Sequence, residues 1–201
     1  MIIAVTGRPG SGKDTIARYL VTKYDFRQFE LKMRIEEVVY AMFRIPMTII
    51  RNRELREIPL EQAGFSPHAL DCKEWTVRKL LQWVGQTYRD TFGQDVWPAS
   101  LWEDIRRFWS RDGRLMDISR VVISDVRTPR DATFFKERMM EEGDKFKLIL
   151  VSRPGHGSTT SGGFKNHPLE SHDLTSLADA TIENDGTIQE LLAKIDVCLR
   201  S

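Results

Sequence analysis

Nine residues near the start of the chain, GRPGSGKDT from Gly7 to Thr15, bring together three glycines, a lysine, two hydroxyls and a carboxylate. Residues of these types at this spacing suit the holding of a polyphosphate. Gly7, Gly10 and Gly12 let the backbone curl until its N–H groups point inward, and the helix expected after Gly12 adds the positive end of its dipole. Lys13 then reaches a terminal phosphate as a mobile point charge. The frame is G-x-x-x-x-G-K-[ST] with one departure. Asp14 stands where the hydroxyl is expected, and Thr15 supplies it one place later. Thr15 would lie near the α-phosphate or in the shell of a Mg²⁺ ion. Asp14 either holds such an ion through water, accepts a hydrogen bond from the phosphate acceptor, or only complements the helix dipole, a contribution under ~1 kcal/mol.

A second set lies in ISDVRTPRD. Asp125 ends an apolar run that reads as a strand, and ligands of open α/β sheets bind at the carboxyl ends of strands. Its carboxylate suits Mg²⁺ through water, or a proton from an acceptor. Arg127 suits the bridging of two phosphates and the neutralising of transition-state charge. Arg130 and Asp131 open the next helix. In VRKLLQWVG, Arg78 and Gln82 lie four apart and share a helix face bordered by Lys79. A guanidinium fork there suits a phosphate and the amide suits a base, with a plain solvated face as the alternative. Trp97, Trp102 and Trp109 read as packing residues, although Trp97 begins its helix and has access to a cleft.

These side chains need elements to position them. Met1 to Thr6 reads as a short strand buried on both faces, and residues from about Gly12 to Tyr24 as a helix. Phe26 to Leu31 is a candidate second strand. LKMRIEEVVYAMF places Leu31, Ile35, Val38, Val39 and Met42 on one helical face, ended by Pro46. RNRELREIPLEQAGFSPHAL reads as an irregular insertion. EWTVRKLLQWVGQTYRDTFG and WPASLWEDIRRFW read as two further helices. Val121 to Asp125, Lys147 to Ser152 and Ala180 to Asn184 read as strands. Helices over Pro129 to Glu142 and Thr187 to Leu199 separate and follow them, the last one capped by Thr187. Strands alternating with helices predict a parallel sheet covered on both sides. The expected organisation is one domain, with a core over 1–31 and 113–201 and a helical region over about 32–112. A long loop over 153–176 carries Arg153, His156, Lys165, His167 and His172 and reads as a lid.

The totals narrow the partners. A chain of 201 residues with 41% hydrophobic and 29% charged residues is an ordinary globular composition. A formal net charge of +1 offers no field for a nucleic-acid polymer or an anionic membrane. The two cysteines, Cys72 and Cys198, form no metal or disulfide pattern, and no apolar run is long enough for a membrane span. The expected location is the cytoplasm. The histidine spacings give no helical metal-ligand pair.

GSGKDT, WTVRKLLQWVGQTYRDTFGQDVW, ISDVRTPRD, VSRPG and IENDGTIQELLAKI together resemble the deoxynucleoside monophosphate kinases of tailed bacteriophages, over nearly the whole chain. The W-x-V-R-[RK]-L-[ML]-Q-x-[VL]-G element joined to D-x-R is the most specific part. The resemblance implies a P-loop NTPase three-layer α/β/α fold with a parallel sheet of about five strands, a helical monophosphate-binding insertion and a lid. It implies ATP as donor, Mg²⁺ as cofactor and a deoxynucleoside 5′-monophosphate as acceptor, in the host cytoplasm if the chain is phage-encoded. Gly10, Ser11, Gly12, Lys13, Asp14 and Thr15 would serve the donor phosphates, with Thr15 and Asp125 at the metal. Arg78, Lys79, Gln82, Gly85 and Trp97 would line the acceptor site, with Asp125, Arg127 and Asp131 between the two. Asn184 and Gly186 would meet the purine of ATP. A kinase for dephospho-coenzyme A or phosphomevalonate, and a nucleotide-dependent switch without transfer, are the rival readings. A homodimer is left open.

Overall fold

Ile2–Thr6 form strand β1, and all five residues are buried. That is the reason for its unbroken apolar run: a strand covered on both faces has no solvent side to mark with polar residues. β1 lies at the centre of a five-stranded parallel sheet in the order β2-β3-β1-β4-β5. β2 is Arg27–Phe29, β3 Val121–Ile123, β4 Phe146–Ser152 and β5 Ala180–Glu183. Helices α1 (Lys13–Tyr24), α2 (Lys32–Phe43), α3 (Met47–Ile50), α4 (Val77–Phe92), α5 (Val96–Trp109), α6 (Pro129–Glu141) and α7 (Ile188–Arg200) complete the described elements. The computed structural model describes residues 1–65, 74–109, 120–154 and 174–200. Cys72, most of the expected lid and its three histidines lie outside them. Among the described residues, no helix is long and apolar enough to cross a membrane.

The chain forms two compact units, Met1–Glu30 with Leu101–Ser201, and Leu31–Ser100. The first holds the sheet. Ile3 and Val5 of β1 join Val122, Ile149, Val151 and Ile182 on one face, which Ile16, Ala17 and Leu20 of α1 and Leu191, Ile195 and Cys198 of α7 cover. The alternate residues Ile2 and Ala4 point to the opposite face. There α6 packs on β4 and β1 through its buried Phe134, Phe135 and Met139. The protein is thus an α/β fold with helices on both sides of a parallel sheet. Cys198 is a free, buried thiol, and burial pushes its pKa up.

The second unit is helical. Thr76 caps α4 by accepting from Lys79 N at 3.1 Å, and Val77, Leu80 and Val84 bury one stripe. Gly85 lets α4 come close to α2, since a Cβ there would lie 3.3 Å from Ile35 Cδ1. Two expectations for α2 are corrected. The helix stops at Phe43, where Arg44 takes a left-handed φ of 56° and its N–H bonds Tyr40 O, and Pro46 opens α3 instead. Met42 is 52% exposed, whereas Glu36 is 1% exposed. The buried face admits that carboxylate because Arg51 Nε donates to Glu36 Oε2 at 3.0 Å, and a buried charge needs such a partner. β2 is also shorter than Phe26 to Leu31.

One polar cluster ties α1 to α7. Asp196 accepts from Lys23 Nζ at 2.7 Å and from the hydroxyls of Tyr19 and Tyr24 at 2.8 Å each. The Lys23 ammonium lies over both rings, 5.0 and 5.3 Å from their centroids. The hydrogen bonds from Lys23, then those from Tyr19 and Tyr24, hold the Asp196 carboxyl down to about 2. An unfolded Asp titrates near about 3.9, so the folded state binds this proton less readily. The stabilisation is therefore fully present above that unfolded value and fades as pH falls through about 2. Asp196→Asn should flatten the acid limb of a melting-temperature profile between about pH 5 and pH 2. An acid limb identical in the two proteins would show that the cluster does not couple to folding.

Candidate functional site

Strand β1 delivers the chain into the glycine loop at its carboxyl end. Gly7 has φ 149°, and a Cβ there would lie 2.3 Å from the carbonyl oxygen of Val151 on β4. Only glycine leaves the sheet by that route. Ser11 N bonds Arg8 O at 3.1 Å and closes the turn. Gly12 then takes φ 105°, and its N-cap position carries no side-chain cap to α1. A Cβ on Gly12 would approach Asn184 Nδ2 to 2.7 Å. The Asn184 amide uses that proximity: Nδ2 donates to Ser11 O at 2.8 Å, while Asn184 N bonds Ser152 O at 2.7 Å. The loop is thus braced from β4 and from the end of β5. Arg153 Nη1 reaches Gly10 O at 3.5 Å.

The loop points its polarity inward. Ser11 is 2% exposed, and its Oγ has no hydrogen-bond partner among the described residues. An unsatisfied buried hydroxyl is costly unless a ligand completes it. Lys13 is half-buried and keeps its Nζ 4.0 Å from Asp14 Oδ1, too far for a hydrogen bond. Asp14 is exposed on the first turn of α1, where the helix dipole favours it, and Thr15 is half-buried beside it. A hydroxyl, an ammonium and the start of an uncapped helix together make a place for an anion.

β3 lies next to β1, with Ala4 opposite Ile123, so the two strands end about 4.8 Å apart. Ser124 and Asp125 follow at that same edge, and both are buried. Arg127 is exposed on the loop beyond. Asp131 serves its own helix start. Its Oδ2 accepts from Thr128 N at 3.2 Å, while Thr128 Oγ1 accepts from Asp131 N at 3.1 Å. This capping box, with Pro129 behind it, starts α6 and positions the Asp125–Arg127 loop. Gly186 sits in the turn before α7. There Glu190 accepts from Thr187 N at 2.7 Å, Thr187 Oγ1 accepts from Glu190 N at 3.3 Å, and a Cβ on Gly186 would strike Glu190 Oε2. The hydrogen bonds that Thr187 N and then Thr187 Oγ1 donate to it hold the Glu190 carboxyl below its usual range. Thr187 therefore caps α7, as its position implied.

A network at the same edge was not evident from the sequence. Gln28 Nε2 donates to Ser124 Oγ at 2.9 Å, and Ser124 Oγ donates to Glu30 Oε1 at 3.3 Å. The only trace of it in the sequence is the polar Gln28 and Glu30 alternating with Phe29.

In the helical unit, Arg78 and Gln82 lie on α4 four residues apart. The Arg78 guanidinium bonds the Glu57 carboxylate, and Lys79 Nζ donates to Glu74 O at 2.7 Å. Gly85 and Trp97 meet each other. Trp97 is 3% exposed, donates Nε1 to Gly85 O at 2.9 Å and stacks on Tyr88 with centroids 5.1 Å apart. Trp97 thus packs within the helical unit, since a buried indole must satisfy its N–H.

No protein-family model and no curated protein matches the chain. Solved structures similar to it include a dephospho-CoA kinase from Campylobacter jejuni, at 14% identity and a TM-score of 0.49, covering 97% of this chain and 95% of that one. A shikimate kinase from Aquifex aeolicus has 14% identity and a TM-score of 0.44, with 100% and 96% covered. The APS kinase CysC of Mycobacterium tuberculosis has 14% identity and a TM-score of 0.42, again with 100% and 96% covered. Likeness at this level gives no ground for assigning a substrate.

Proposed function

We propose that the chain transfers the γ-phosphoryl group of ATP to the 5′-phosphate of a deoxynucleoside monophosphate. The observation that carries the phosphate-binding part is the buried, unsatisfied Ser11 hydroxyl inside a braced glycine loop, with Lys13 at its end. The acceptor part rests on the Arg78–Gln82 spacing and on the resemblance of the chain's motifs to deoxynucleoside monophosphate kinases.

The roles follow from position. The backbone N–H groups around Gly10, Ser11 and Gly12 cradle the donor phosphates, and Lys13 neutralises charge on the group in transit. Arg127, exposed beside the glycine loop's edge of the sheet, pairs with the developing charge between donor and acceptor. Asp125 and Thr15 fit a Mg²⁺ ion of the kind held by one or two protein oxygens together with phosphates and water. Among the described residues no three His, Cys, Asp or Glu form a metal cage. Mg²⁺, when bound, would supply charge neutralisation on the phosphates. The Gly186 turn carries the purine end of ATP. Transfer is in line, by positioning and electrostatics, without a covalent enzyme intermediate.

ADP release measured with Mg²⁺-ATP and each of dAMP, dCMP, dGMP and dTMP should depend on at least one of them. Lys13→Ala and Arg127→Ala should each lower kcat on the order of 10²–10³-fold. Silence across the panel with ATP still bound, or turnover only with dephospho-coenzyme A or phosphomevalonate, would overturn the acceptor assignment. Asn184→Ala removes one hydrogen bond from the loop, worth about 1 kcal/mol, and should weaken ATP binding about fivefold. Unchanged ATP affinity by calorimetry would show that the brace is dispensable.

A further inference from the structure

The helical unit contains a second place shaped for an anion, and a side chain of the protein fills it. Arg78 Nε lies 2.7 Å from both oxygens of the Glu57 carboxylate, and Nη2 also bonds Oε1. The segment before Glu57 is well anchored. Asn52 Oδ1 accepts from Glu54 N at 2.9 Å and Leu55 N at 3.0 Å, Arg78 N bonds Arg56 O at 3.0 Å, and Pro59 pairs with Thr76. Residues 56–60 therefore run beside the start of α4. The hydrogen bonds from Arg78 come first among the causes that hold the Glu57 carboxyl below its usual range, and the charges of Arg56 and Arg53 add to them. The fork of Arg78 thus holds both oxygens of one monoanion.

We propose that the Arg78 guanidinium is the anchor of a phosphomonoester site and that Glu57 is its built-in competitor, displaced when the acceptor's 5′-phosphate binds. The inference rests on the phosphotransfer reading and adds to it the group that sets acceptor affinity. A carboxylate and a phosphate offer the same pair of oxygens to a guanidinium fork. The phosphate monoester brings close to two charges at neutral pH against one. Glu57 is 45% exposed and Arg78 35%, so the released carboxylate returns to water, and an exposed pair of this kind holds only weakly. The competitor keeps the Arg78 charge paired in the free protein. It also raises the threshold for entry, so that carboxylates and other monoanions fail where a dianion succeeds.

The test uses the full chain and two variants. Glu57→Gln keeps the length of the side chain and removes its charge; Glu57→Asp keeps the charge and shortens the reach. Inorganic phosphate and each deoxynucleoside monophosphate are titrated by calorimetry, and kinetics are run in parallel. Glu57→Gln should bind monophosphates about three- to fivefold more tightly, with the gain in kcat/KM carried by the acceptor KM. The gain should be lost when Arg78→Ala is added. Equal or weaker binding by Glu57→Gln at an unchanged melting temperature would overturn the proposal and leave the pair as a structural clasp. If Glu57→Gln melts early, Glu57→Asp decides: tighter binding than the unaltered protein supports the competitor, and equal or weaker binding overturns it. Tighter phosphate binding without turnover on any acceptor would retain this site and reject the kinase reading. Turnover without tighter binding would do the reverse.

Discussion

A carbonyl oxygen and an amide nitrogen leave room for hydrogen alone at two points of the glycine loop. Val151 O would lie 2.3 Å from a Cβ on Gly7, and Asn184 Nδ2 would lie 2.7 Å from one on Gly12. These two approaches determine where the loop can run. They bring β1 out of the sheet against β4 and begin α1 against the end of β5. The same crowding turns Ser11 inward, buries its hydroxyl and fixes its carbonyl on Asn184. A methyl group at Gly7 would meet backbone and force the chain away, one at Gly12 would push aside the Asn184 amide that braces the loop, and the positive φ at both positions adds strain.

The strand order makes that loop a meeting point. Because β1 lies between β3 and β4, groups at the ends of both neighbours emerge beside it. Asp125 comes from the β3 side and Arg153 from the β4 side, with Asn184 one strand further. All strands are parallel, so every carboxyl end lies at one edge, and side chains distant in sequence share it. The capping boxes at Thr128–Asp131 and Thr187–Glu190 serve the same end. Each begins a helix at a defined residue and so sets the length of the loop that carries Arg127 or Gly186.

Most of this was legible in the sequence because its signals are local. A buried parallel strand reads as an apolar run, a glycine loop as a spacing, a helix start as a Thr with an acid three residues on. α1, α4, α5, α6 and α7 and the strands β1, β3, β4 and β5 follow such signals to within a few residues. The failures come from pairings between residues far apart. Glu36 looks like a solvent residue until Arg51 arrives fifteen positions later to balance it. The bond from the Trp97 indole N–H to the Gly85 carbonyl joins residues twelve positions apart, which no local pattern announces. Pro46 looks like a terminator, yet α2 has already closed through the left-handed Arg44. Gln28, Glu30 and Ser124 come together only across two strands, which periodicity cannot register.

Charge shows the same gap between a total and an arrangement. The chain carries 30 basic and 29 acidic side chains, a near balance that argues against a polyanionic partner. Among the described residues much of this charge is paired locally. Arg34 meets Glu37, Arg51 meets Glu36, Arg78 meets Glu57 and Lys23 meets Asp196, so fields cancel within a few ångströms. Lys13 is held differently, since Asp14 stays 4.0 Å away and turned to solvent. The ammonium of Lys13 therefore keeps its charge available, next to a hydroxyl without a hydrogen-bond partner among the described residues and a helix start without a cap. A small anion meets attraction there from a charge that no close carboxylate holds. The proposed preference for a compact polyphosphate over an extended polyanion rests on that spacing of charges, because an extended polymer needs many such places in a row.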